Sequence, residues 1–195
     1  EYSEPAIVSE KFKLHIEYVV HDYKDILNYS GERDRSCGAN VVCDEADPYV
    51  DQYSATAWLD MNGWICSGAM LNNTNQDLTP YFLTADHCVE GLNPGLFRFY
   101  FNYETTSCGG SSASYGSYAY GSTLRSRSYD MDPDFALLEI NGTIYESWEV
   151  FFSGWNRTSS APLISCGVHH PGGDPKKINF DNDYATSSSW NGGAL

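Results

Sequence analysis

The 195-residue sequence has no Cys-x-x-Cys pair, no apolar run long enough to cross a bilayer, no long amphipathic helical pattern and few positive charges. Each absence excludes something. Six cysteines without zinc-type spacing argue for disulfides and an oxidising compartment. No segment reads as a membrane-spanning helix. Eleven Lys and Arg stand against 26 Asp and Glu, a formal net charge of −15. That balance disfavours a nucleic-acid partner and an anionic membrane surface. It would suit a basic substrate, but solubility is the plainer reading. There is no signal peptide and the first residue is Glu1 rather than Met, so the chain reads as processed or cut at its start. No Gly-x-Ser-Gly occurs anywhere. No metal site or cofactor motif stands out.

What is present is the material of a strand-and-turn protein. Hydrophobic residues make up 42% and aromatics 15%, with 15 tyrosines, which argues against disorder. The length suits one domain or two small ones. Residues 1–36 form a first unit. Phe12, Leu14, Ile16, Tyr18 and Val20 alternate with polar residues, as in a strand, and the charged stretch 30–36 reads as a linker. This unit is expected to be a propeptide end or an upstream β segment, or else a first strand of the main domain.

From Tyr53 onward, short strands alternate with turns. Strands are expected over 55–59 and 64–71, joined through Asn62-Gly63, a strong hairpin signal. Further strands are expected over 81–85, 96–103 and 135–140. Residues 107–128, rich in Gly, Ser and Tyr, read as a loop with an exposed hairpin. A second set, over 150–155, 161–169 and 176–180, follows Glu149. Short strands at even spacing imply a sandwich or barrel. Asn-x-Ser/Thr sequons occur at Asn28, Asn72, Asn141 and Asn156.

The chemistry centres on Tyr81-Phe82-Leu83-Thr84-Ala85-Asp86-His87-Cys88, preceded by Cys66-Ser67-Gly68. A strand ending on a histidine beside a cysteine is a way to fix an imidazole as a general base. Its tautomer must be set by a buried acceptor. Asp134, in Asp134-Phe135-Ala136-Leu137-Leu138, is that candidate. Asp130 and Asp132 precede the apolar run and read as solvated turn acids. These motifs, with Gly154-Trp155 and His169-His170-Pro171, resemble the chymotrypsin-like serine proteases. The nearest likeness is to the secreted bacterial lysyl endopeptidase type. Most such proteases carry Ala-Ala or Ala-His before the histidine; here Asp86 stands in that place.

The resemblance covers 37–195 and implies an all-β, chymotrypsin-like double β-barrel. Residues 37–145 would form the first barrel and 146–195 the start of a second, incomplete in this chain. It implies disulfides Cys66–Cys88 and Cys43–Cys108, with Cys37 and Cys166 left unassigned. His87 would be the general base and Asp134 its orienting acid, with Trp190 packed near the histidine on the substrate side. Ser67 would be structural, and Ser111 and Ser112 lack the strand context of a nucleophile. The nucleophile would then lie after Leu195. His169-His170-Pro171 reads as a structural turn rather than a metal site, because neighbouring strand residues point to opposite faces. The implied function is a secreted serine endopeptidase, monomeric when intact, acting on polypeptides. The rival readings are a pseudo-protease binding module on the same fold and a small binding β domain with chance motifs.

Overall fold

The computed structural model describes residues 38–128, 134–156 and 160–186, with strand residues 189–190 and 193–194. The strand and linker expected over 1–36, and Cys37, lie outside the described residues. Strand β1 (Ala39–Asn40) leads into a 3-10 turn, Asp44–Tyr49, and a short helix α1 (Val50–Ala55). Then come β2 (Thr56–Asp60), β3 (Ile65–Leu71), β4 (Tyr81–Thr84), β5 (Arg98–Tyr100), β6 (Ala119–Tyr120), β7 (Ser122–Arg127) and β8 (Ala136–Ile140). After them run β9 (Ser165–His169), β10 (Lys177–Asp181), β11 (Ser189–Trp190) and β12 (Gly193–Ala194). The described chain is an all-β protein.

Seven strands form one antiparallel sheet in the order β6-β5-β2-β3-β4-β8-β7. Its two outer strands are consecutive in sequence, with only Gly121 between them. One continuous segment therefore borders both edges, and the sheet curls back on itself. The bend at Gly121 needs φ +77°, and a Cβ there would lie 2.9 Å from the Gly95 carbonyl oxygen. Glycine meets both demands.

The hairpin between β2 and β3 turns on Asn62 and Gly63, at φ 60° and 97°. Met61 N–H donates to the Trp64 carbonyl at 2.8 Å. Two central residues of positive φ make the tight turn that matches strand twist. Along β8, Ala136, Leu138 and Ile140 are buried and alternate with half-buried Leu137 and Glu139. Leu59, Met70, Phe82 and Phe99 fill the sheet interior, each under 1% exposed. The Phe82 and Phe99 rings meet edge to face at 4.9 Å. Each such side chain contributes roughly 1.5–3 kcal/mol by leaving water.

Gly68 has a separate role. A Cβ on it would fall 2.5 Å from the Leu83 carbonyl oxygen and 2.4 Å from the Phe82 ring. The close approach of β3 to β4 therefore excludes any side chain at the second position of Ser67-Gly68.

Two expectations change. Residues 150–155 do not form a strand: Ser153 makes a single parallel bridge to Leu71. β3 is already flanked by β2 and β4, so little edge remains to pair with, although Val150 and Phe152 still pack on the core. Residues 107–128 are not all exposed loop. Their end supplies β6 and β7, and half-buried Tyr115 stacks on Tyr103 and Trp58 at 4.4 and 5.0 Å. β1 pairs with β10, which pairs with β9, in a separate three-stranded sheet.

Candidate active site

Thr84 at the end of β4 pairs with Ala136 at the start of β8. Carried two residues further, this antiparallel register brings Asp86 and His87 opposite Asp134. His87 sits on a 3-10 turn, Asp86–Cys88, whose last residue is buried and disulfide-bonded to Cys66 of β3. The Cα atoms of that pair are 6.3 Å apart. A second disulfide, Cys43–Cys108, ties the segment after β1 to the loop before β6. Cys166 is half-buried and bonded to no cysteine among the described residues, and burial pushes its thiol up from the ordinary value.

The Asp134 carboxylate meets His87 twice. Oδ2 lies 2.5 Å from Nδ1, and Oδ1 accepts the His87 backbone N–H at 3.1 Å. Partial burial pulls the Asp134 carboxyl up, but the hydrogen bonds from the His87 ring and backbone outweigh it and hold it below its ordinary value. An ionised carboxylate only accepts, so the proton on that side of the ring belongs to Nδ1. Nε2 is then the basic nitrogen. The His87 side chain is 70% exposed, which leaves Nε2 reachable.

The neighbouring acid is engaged elsewhere. Arg127 of β7 donates to Asp86 through Nε at 2.5 Å and through its second guanidinium nitrogen at 2.8 Å. Both side chains are only 14% exposed. Sequence reasoning missed this pair; the unusual acid before the histidine was its only trace. Asp130 and Asp132 lie outside the described residues.

The His169-His170-Pro171 segment is a turn at the end of β9. His170 N–H donates to Ser67 Oγ at 2.8 Å, so that hydroxyl is engaged by the backbone of the turn. The buried His170 ring donates from Nδ1 to the Asp174 carbonyl at 3.0 Å and stacks on Tyr103. Desolvation, then the nearby Lys176 charge, pushes its pKa down to about 3. The basic pair that follows is buried. Lys176 Nζ donates to Glu104 at 2.8 Å and to the Phe101 carbonyl, and Lys177 Nζ donates to Asn40 at 2.7 Å. Burial lowers the Lys176 pKa, against the pull of Glu104. Ser111 and Ser112 are exposed in the loop before β6. The Trp190 side chain lies outside the described residues.

Cys66, His87 and Cys88 bring their ligand atoms within 4.8 Å of one another. The two sulfurs are bonded to each other, however, and a metal needs them as thiolates. The arrangement fits proton transfer: an oriented imidazole, a carboxylate behind it and a solvent-facing nitrogen in front.

The family described as "Lysyl endopeptidase, C-terminal domain" matches residues 31–194. A lysyl endopeptidase of Pseudomonas aeruginosa is 29% identical over 185 aligned residues, covering 87% of this chain and 38% of that relative. The chain thus spans well under half of the curated relative's length. With five-sixths of its residues inside the family match, this chain belongs to the lysyl endopeptidase C-terminal domain family.

Proposed function

We propose that this chain carries the acid–base half of a secreted serine endopeptidase of the chymotrypsin type. His87 takes the nucleophile's proton on Nε2 and returns it to the leaving amine. Asp134 fixes the tautomer and stabilises the imidazolium that forms. The observation that carries this is the two-point contact of Asp134 with His87. The curled seven-stranded sheet supports reading 37–145 as a first barrel. Residues 146–195, with β9 and β10, would begin a second barrel, and 1–36 would be a propeptide end or upstream segment.

The nucleophile is a serine outside these 195 residues. Ser67 Oγ is engaged by the His170 backbone, and no Gly-x-Ser-Gly occurs to supply oxyanion donors. Substrates are polypeptides, the working form is a monomer, and Trp190 lines the substrate side of His87. Secretion accords with the two disulfides. The test is peptide hydrolysis by the longest product of the gene, wild type beside His87→Ala. Wild-type turnover should fall at least about a thousandfold in the variant. Equal turnover in the two would remove His87 from the mechanism.

A further inference from the structure

Asp86 places a second carboxylate next to His87 in sequence, and a free one would compete with Asp134 for the imidazole. The structure shows what occupies it: Arg127 binds it by two hydrogen bonds, at 2.5 and 2.8 Å. Arg127 is the last residue of β7 and pairs with Ala136, which in turn pairs with Thr84. The guanidinium thus reaches across β8 to the turn that begins after β4. Paired, planar contacts of this kind fix orientation as well as charge. Both side chains are mostly shielded from solvent, so the pair is weakly screened.

We propose that Arg127 is a positioning residue for the His87 base: it clamps the Asp86–Cys88 turn to β7 and cancels the Asp86 charge beside the imidazole. This rests on the reading of His87 as the base. Among the described residues, the charged groups about the turn are Asp134 before β8, Arg127 on β7, and Asp86 and Glu90 on or just after the turn. The Arg125–Glu139 pair stands further along β7 and β8, beside Tyr81 of β4. Of these, Asp86 and Arg127 bind each other, and Asp134 is the acid that meets the His87 ring directly.

The pair predicts effects of opposite sign, which a purely structural contact would not give. Arg127→Met leaves the Asp86 carboxylate uncompensated and favours imidazolium, so the His87 titration midpoint rises. Asp86→Ala removes a negative charge beside the imidazole, and the midpoint falls. Each shift should be roughly half a pH unit or more. The double variant should return towards wild type. Arg127→Lys keeps the charge and loses the two-point contact, so its midpoint stays near wild type.

The experiment is a ring-proton NMR titration of His87 in the 195-residue chain, assigned against His87→Gln, with a thermal melt of each variant to confirm folding. Opposite shifts in the single variants and their cancellation in the double bear the proposal out. Shifts of the same sign, or no shifts, overturn it. Should Arg127→Met fail to fold, Asp86→Ala and the double variant carry the same test: a fall in the first that is absent from the second. Because the readout is a titration, it separates this proposal from the catalytic reading. Loss of peptidase activity in the His87 variant tests that reading alone.

Discussion

Asp134 holds His87 at both ends of one residue: Oδ2 meets Nδ1 at 2.5 Å while Oδ1 accepts the backbone N–H at 3.1 Å. One carboxylate therefore fixes the position of the turn and the tautomer of the ring it carries. Asp134→Asn keeps the shape but offers an amide where the ring needs an anion. In the longest gene product its kcat should fall by about 10⁴ with KM little changed, as loss of tautomer control does in the serine-protease template. A loss below tenfold in steady-state kinetics would mean that another acid orients the ring.

The same contact has a pH signature. The Asp134 carboxyl is lowered in the folded chain, so its contribution to stability is full above the unfolded carboxyl value. It is lost as pH falls through the lower, folded value. Followed by side-chain carboxyl NMR, Asp134 should titrate below an ordinary aspartate in wild type and shift upward in His87→Ala. An unchanged midpoint in that variant would contradict the hydrogen-bond explanation.

His170 gives a larger and separable effect. Burial pushes its pKa down to about 3, and a proton on Nε2 would find no acceptor among the described residues. The unfolded chain binds that proton near pH 6.5, whereas the folded chain does not until about pH 3. Stability is thus full above about 6.5 and falls with pH down to about 3. By pH 4 the loss from this residue should be up to about 3 kcal/mol. His170→Asn can keep a donor towards the Asp174 carbonyl and cannot titrate. Urea unfolding between pH 7 and pH 4 should show a shallower decline in the variant; parallel declines would rule His170 out.

Gly68→Ala should destabilise the chain by about 1–3 kcal/mol, since the new methyl meets the Leu83 backbone, which no rotamer change can move. A thermal melt within a degree of wild type would show that β3 and β4 can separate at no cost.

Local chemistry made much of this legible. Asn62-Gly63 specified its hairpin because few residues accept positive φ twice in a row. The run after Asp134 was apolar as a core strand should be, and β8 formed one residue inside the expected span. What failed to show were partners distant in sequence. Asp86 and Arg127 are 41 residues apart, and Lys176 meets Glu104 across 72. Nothing near Lys176-Lys177 marks two lysines as buried, because their acceptors come from distant parts of the chain. The run 150–155 had a strand's composition but found almost no free edge to pair with.

The central claim is that His87 and Asp134 serve a serine that these 195 residues do not contain. A fluorophosphonate reacts with an activated serine, and mass mapping of the adduct names the residue. The account predicts no labelling of the 195-residue chain. In the longest gene product it predicts one adduct, on a serine beyond Leu195, abolished by His87→Ala. An adduct on Ser67, Ser111 or Ser112 would contradict it.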